Sequence, residues 1–421
     1  MSEHDDLVKK TFARVEKAQE RLAQSNSKNE RAIALTPVQH SRALSALTGA
    51  DIWLKLEIFQ RTGSYKERGA RNKLLCLLEK NEGLKSVVAA SAGNHAQGVA
   101  YHATDLGLQA RIFMPKNTPR VKVERTESFG GTVVLYGENF DEAQAHMLRT
   151  KGDDEAVIKP FDDKHVIAGQ GTVALEFLDS VKDLDILVVP IGGGGLIAGM
   201  AVAAKTIRPE IRIFGAEPAV CPSWANRRKG VNATKASELS IAEGIFVERV
   251  GDKTFKVADP LIEDIIGVDE EIIEQAMSRL AQHERLVVEG AGAAGLGAVL
   301  SAPDKFRGQK VGLVLSGGNV DMRLFGSVLT RAMVRDGRLV VLQIVCKDEP
   351  GILAKITDII GKNNGNIVSI GHHRSITTRP AKIAELEVEV EVSGAAMKHA
   401  ILNALSGAGF KAEAKAGHLD A

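Results

Sequence analysis

Residues 63–70 read GSYKERGA, placing one lysine, Lys66, between Gly63 and Gly69 just after an apolar stretch. Most lysines are surface residues, so the plain reading is a solvated side chain at a helix start. Other loops change that reading. LDILVVPIGGGGLIAGMAVAAK runs an apolar strand into Gly192, Gly193, Gly194 and Gly195 and opens a helix near Leu196. Four consecutive glycines let a backbone approach a ligand closely and aim successive N–H groups at it. The helix start adds positive potential, so the segment predicts a phosphate cradle. Two more loops, SAGNH (91–95) and SGGN (316–319), combine small residues with amides and hydroxyls.

Several elements must position these loops. SVVAAS (86–91), QARIFMP (109–115), GTVVLYG (131–137), LDILVVPIG (184–192), IRIFGAE (211–217) and KVGLVLSG (310–317) are mostly continuous apolar runs, each ending in small residues. Strands apolar on both faces, with helical stretches between them, predict a parallel sheet in an α/β protein. Ligands in such sheets bind beyond the carboxyl ends of the strands, which selects SAGNH, GGGG, GAEP and SGGN. Residues 5–24 have helical spacing, with Leu7, Phe12, Val15, Ala18 and Leu22 on one face. Beyond about 338 the pattern changes. RLVVLQIVC, DEPGILAKITDIIGKNNG, NIVSIGHHRS, AKIAELEVEVEV, SGAAMKHAILNALSGAG and FKAEAK predict the order βαββαβ, a separate ferredoxin-like module. The expected organisation is a catalytic part over 1–330, with a smaller subdomain at about 84–160, and a module over 338–416.

Composition removes other classes. Lys plus Arg is 54 against 53 for Asp plus Glu, so no electrostatic footprint for nucleic acid is visible. Cys76, Cys221 and Cys346 are far apart and form no CxxC, which fits a reducing cytosol and offers no metal framework. The polar start MSEHDDLVKKTFARVEKAQERL has no apolar region of the signal-peptide kind, and no run of 18 apolar residues occurs. A cytoplasmic protein is expected.

Two cofactors compete for the glycine loop. Gly193, Gly195 and Ala198 fit the dinucleotide fingerprint, with Glu217 at a plausible distance, but that match is weak and leaves Lys66 unexplained. No GK[ST] follows, which excludes a P-loop. Pyridoxal phosphate needs a lysine for a Schiff base, a phosphate cup and a partner for its ring nitrogen. Lys66, the glycine run and Ser316 supply all three.

At this point the chain resembles the fold type II pyridoxal-phosphate enzymes, and within them the threonine dehydratases. The resemblance runs through TGSYKERGA, ASAGNHAQGVA, KPFDDKHVIAGQGTVALE, GGGGLIAG and SGGNVD, over roughly residues 30–325. It implies two open α/β subdomains, with Lys66 as the Schiff-base lysine and Tyr65, where the family usually has Phe, packing by the ring. Gly192 to Gly195 and Leu196 are implied to hold the phosphate, Asn94 the ring 3′-oxygen, and Ser316 the ring nitrogen. The loop Ser91, Ala92, Gly93, Asn94 and His95 is implied to hold the substrate carboxylate, with no catalytic role for the His95 ring. Glu289, in VEGAGA, is placed near the ring edge or in a helix-terminal structural role. A hydroxyl facing the ring nitrogen suits β-elimination better than transamination. The implied reaction converts L-threonine or L-serine to a 2-oxo acid and ammonia.

Three rivals stand beside it. Related serine racemases carry a second serine where this chain has Ala92, and Ala92 has no proton to exchange. Those racemases also bind a divalent metal after a strand like GAEPAVCPS. Here Glu217 remains but Ser223 takes the second acid's place, so no metal is expected. A β-replacing synthase would use similar loops, and a non-enzymatic amino-acid sensor would use only the C-terminal module. That module resembles an ACT domain through KDEPGILAKITDII, which implies a branched-chain amino-acid effector at Asp348, Pro350, Gly351 and Ile352. A homodimer or homotetramer is implied as well, with a place in isoleucine biosynthesis or in threonine breakdown.

Overall fold

The apolar runs fold as strands. The computed structural model describes residues 2–27, 30–231, 239–373 and 380–415. In chain order the first strands are β1 (Asn26–Ser27) and β2 (Glu30–Arg31), a short antiparallel pair. Then come β3 (Val38–Ser41), β4 (Asp51–Lys55), β5 (Ser86–Ala90), β6 (Gln109–Met114), β7 (Thr132–Leu135) and β8 (Glu155–Val157). β9 (Ile186–Pro190), β10 (Arg212–Pro218), β11 (Asp264–Val268) and β12 (Lys310–Val314) follow. A six-stranded sheet has the order β11-β10-β9-β12-β4-β3, and a four-stranded sheet the order β7-β6-β5-β8. The pairs are parallel except that β3 runs antiparallel to β4.

All six expected runs are present. β3, β4, β8 and β11 were not singled out in the sequence, because VQHS, DIWLK, EAV and DIIGV are short or carry polar residues. β7 also departs from the both-faces-apolar pattern. It is an edge strand, and Leu135 is exposed.

Parallel strands need crossover helices, and these carry the site. The helix Lys66–Leu78 begins at the lysine itself, and Asn94–Asp105 begins at the loop asparagine. Gly195–Ile207 begins inside the glycine run, with Gly194 at φ +91° as its N-cap. Lys164–Ser180 is capped by the Asp163 carboxylate, which accepts the N–H groups of His165 and Val166. The last two helices touch backbone to backbone, since a Cβ on Gly199 would meet Ile167 O and Gly171 N. Phe177, Leu187, Val189, Ile197 and Met200 form the core under the six-stranded sheet, and Val87, Ala89, Val99 and Ile112 form the core of the smaller one. Each such side chain contributes about 1.5–3 kcal/mol by leaving water.

The chain divides into two compact units, Met1–Val320 and Asp321–Ala421. The division falls before the expected limit at 330 and assigns the helix Met322–Arg335 to the second unit. That unit continues with β13 (Leu339–Lys347), a helix Ile352–Lys362, β14 (Asn366–His373), β15 (Ile383–Glu391), a helix Ala395–Gly407 and β16 (Lys411–Ala414). Its sheet is antiparallel, in the order β14-β15-β13-β16, so βαββαβ is the observed succession. On β15 the strict alternation buries Ala384, Leu386, Val388 and Val390 against Ile356, Ile360, Ile401 and Leu405. The expected strand NIVSIGHHRS ends on residues 374 and 375, and the module on 416; all three lie outside the described residues. Among the described residues, no helix is long and apolar enough to cross a membrane.

Candidate active site

Hydrogen bonds tie the selected loops together. Ser64 bridges Gly317, Tyr65 N–H donates to Ser316 O (3.1 Å), and Gly318 N–H donates to Gly63 O (3.0 Å). The lysine loop and SGGN are thus one structure. Lys66 is half-buried; its Nζ donates to Pro160 O at 3.3 Å and lies 5.3 Å from the Tyr65 ring centroid. Next to Pro160, the Phe161 ring packs against the glycine loop, where a Cβ on Gly193 would strike it. A Cβ on Gly194 would strike Trp224, and one on Gly192 would meet Ile245. Only glycine fits this path.

The loop leaves its donors open. Gly193, Gly194, Gly195 and Leu196 are buried. Among the described residues no acceptor takes the N–H groups of Gly192 to Leu196. Buried backbone donors are nearly always paired, so a row of open ones marks an anion site. The carbonyl side is sealed, because Gly193 O accepts from Thr254 Oγ1 (2.7 Å) and Gly251 N (3.2 Å).

The loop of Ser91, Ala92, Gly93, Asn94 and His95 opens the helix Asn94–Asp105. Ser91 N–H reaches Phe113 O and Gly93 N–H reaches Ser91 Oγ, but the N–H groups of Ala92, Asn94 and His95 have no acceptor among the described residues. His95 is buried with Nε2 bonded to Ile158 O at 3.0 Å. A carbonyl only accepts, so Nε2 carries the proton. Burial, with the Lys66 charge beside it, pushes His95 down to about 3, and the ring is neutral.

The Asn94 amide is held at both ends. Its Nδ2 donates to Glu289 Oε1 (2.7 Å), and its Oδ1 accepts from Asn319 Nδ2 (2.7 Å). Glu289 N–H donates to Gly317 O (3.1 Å), which closes the circle back to SGGN. Ser316 is buried, and its hydroxyl makes no hydrogen bond among the described residues. The sequence marked Glu289 without choosing its role and left Asn319 without one. The dense amides of GNH and GGN were the available signal. Phe161 lay inside the quoted motif KPFDDKHVIAGQGTVALE but was given no role, and Thr254 carried no signal.

Glu217 is buried, and its carboxylate accepts the N–H groups of Trp224 (2.9 Å) and Ala225 (3.0 Å). Its oxygens are therefore engaged by backbone. No group of three His, Cys, Asp or Glu able to hold a metal occurs among the described residues. In the second unit, Gly351 takes φ +82° as the N-cap of the helix Ile352–Lys362. Asp348 N–H donates to Lys382 O, and Pro350 and Gly351 are exposed.

A family model described as pyridoxal-phosphate dependent enzyme matches residues 30–317, which includes the lysine, asparagine and glycine loops and the first half of SGGN. The chain belongs to the pyridoxal-phosphate-dependent enzymes. A second model, the ACT domain, matches residues 340–407. An L-threonine ammonia-lyase of Thermotoga maritima is 41% identical over 85% of this chain and 89% of its own length. One of Geobacter sulfurreducens is 38% identical over 92% and 97%. Among solved structures, the processed form of threonine deaminase isoform 2 from Solanum lycopersicum superposes with TM-score 0.70 at 33% identity, over 77% of this chain and 93% of that one. Maize serine racemase gives 0.69 at 35%, over 77% and 98%.

The residues fit this cofactor. A pyridoxal-phosphate enzyme needs an open anion cradle, an amine free of any carboxylate partner, and polar groups for the ring. The open N–H row of Gly192–Leu196, the Lys66 amine resting on a carbonyl, and the buried Ser316 hydroxyl meet those needs.

Proposed function

We propose that this enzyme dehydrates and deaminates L-threonine, and L-serine, to 2-oxobutyrate or pyruvate and ammonia. One observation carries the reading: Pro160 and Phe161 join the Lys66 amine to a buried row of open N–H groups. The two relatives named as L-threonine ammonia-lyases, each aligned over most of both chains, supply the substrate.

When bound, pyridoxal phosphate supplies an electron sink for the α-carbon of an amino acid. In this reading Lys66 holds the cofactor through its amine, then takes the α-proton at Nζ. Gly192, Gly193, Gly194, Gly195 and Leu196 hold the phosphate through their N–H groups. Asn94 gives an N–H to the ring oxygen, Tyr65 packs beside the ring, and the Ser316 hydroxyl meets the ring nitrogen. The N–H groups of Ala92, Asn94 and His95 hold the substrate carboxylate. Loss of water across Cα and Cβ releases an enamine, which hydrolyses to the 2-oxo acid and ammonia. Ala92 carries no exchangeable proton, so its side of the substrate has no second base and racemisation is disfavoured.

The reading extends to a cytoplasmic homo-oligomer whose ACT domain takes isoleucine or valine near Asp348, Pro350, Gly351 and Ile352. The open N–H groups at the start of the helix Ile352–Lys362 support a carboxylate there. The test is 2-oxobutyrate release from L-threonine, run beside L-serine with a thiol and with added isoleucine or valine. Thioether formation in place of keto acid would make the enzyme a synthase instead.

A further inference from the structure

The Asn94 amide nitrogen has two N–H groups, and Glu289 takes one of them at 2.7 Å. Asn319 Nδ2 holds the amide oxygen from the other side at 2.7 Å and is itself fixed on Thr62 O at 2.7 Å. A flip of the Asn94 amide would set its carbonyl against a Glu289 oxygen and its N–H against the Asn319 N–H. One Asn94 N–H therefore remains for a ligand, and Glu289 decides which way it points. Nearby, Lys122 of the helix Arg120–Ser128 forms an ion pair with Glu243 of the short helix Glu243–Ile245, where a Cβ on Gly244 would lie 3.5 Å from Glu289 Oε1.

We propose that Glu289 is a positioning residue that orients Asn94 toward the cofactor ring, and that Lys122 and Glu243, paired beside it, tune how firmly it does so. This rests on the reading of Asn94 as a contact of pyridoxal phosphate. The groups facing Glu289 are few. Asn94 comes from its helix, Gly317 and the Asn319 backbone N–H from SGGN, Glu243 and Gly244 from the short helix, and Lys122 from the helix Arg120–Ser128. Burial pushes the Glu289 carboxyl up to about 7; the Asn94 hydrogen bond pulls it down, Glu243 pushes it up, and Lys122 pulls it down. Glu289 therefore changes charge within the working range of pH. Ionised, it is the stronger acceptor and grips the Asn94 N–H more firmly.

Lys122 and Glu243 make opposite predictions. E243Q removes a negative charge, so the Glu289 midpoint moves to lower pH. K122M removes a positive one, so the midpoint moves to higher pH. Each shift is about half a unit or more. The experiment is an infrared titration of full-length holoenzyme, following the carboxylic C=O stretch that E289Q removes, beside the pyridoxal-phosphate dissociation constant from pH 6 to 8. The expected result is one carboxyl with a midpoint near 7, opposite shifts in E243Q and K122M, and a dissociation constant whose change with pH E289Q alters. A cofactor affinity in E289Q with the wild-type pH dependence would overturn the proposal. So would E243Q and K122M variants that leave the midpoint in place or move it the same way, and these surface variants serve if E289Q fails to fold. Wild-type protein that binds no pyridoxal phosphate overturns the site reading as well, which separates the two failures.

Discussion

Burial at Glu289 also has a cost in stability. Its carboxyl rises from an ordinary 4.5 to about 7, so between those values the native state holds a proton that the unfolded chain has released. Stability contributed by this group therefore falls as pH rises from 4.5 to 7. The E289Q variant, which cannot ionise, should melt higher than wild type at pH 8, by up to about 3 kcal/mol, with no gain at pH 4.5. Equal melting curves at both pH values would contradict the assignment. Replacing Lys66 by alanine should lower turnover by roughly 10²–10⁴-fold or more, because it removes both the cofactor link and the proton acceptor. Its circular dichroism should match wild type. Near-normal deamination in that variant would misplace the site. The glycine row stood out in the sequence because four consecutive glycines are rare, whereas Lys66 alone read as a surface lysine and was singled out by the family resemblance. The Asn94–Glu289–Asn319 chain was not, since its members lie at 94, 289 and 319 and only the fold brings them together.

Helix packing under the site depends on glycine in a way that composition hides. A side chain on Gly199 would meet Ile167 O and Gly171 N, both backbone atoms that cannot swing aside. Gly199→Ala should therefore separate the helices Lys164–Ser180 and Gly195–Ile207, at a cost of about 1–3 kcal/mol. A lowered urea midpoint with an unchanged slope would show it. The same variant should weaken pyridoxal-phosphate binding, because one of those helices starts in the glycine loop. Apolar runs made the central strands readable, but β4 (DIWLK) escaped notice. It reads as polar at both ends although Ile52 and Leu54 are fully buried. Periodicity reports which faces are apolar. It does not report which short, mixed segment a distant strand will recruit.

The two units have separate cores. Leu342, Ile344, Leu386 and Val388 pack with helices of the second unit and need nothing from the first. A chain ending at Val320 should keep turnover and lose any response to isoleucine or valine. Inhibition with an unchanged midpoint in that short chain would put the effector site among residues 1–320. The βαββαβ order of the second unit was readable because all its partners are close in sequence. The first unit is built differently. β4 ends at Lys55, yet of its two neighbours only β3 precedes it; the other, β12, ends at Val314. Synthesis at roughly 5–20 residues per second leaves about 13–50 s between the two. For that interval one edge of β4 has left the ribosome without the strand that pairs with it. The main sheet can close only when nearly the whole first unit has been made, so its folding follows translation rather than accompanying it. Nascent chains halted near residue 300 should be cut readily by protease, whereas chains halted well past 320 should resist.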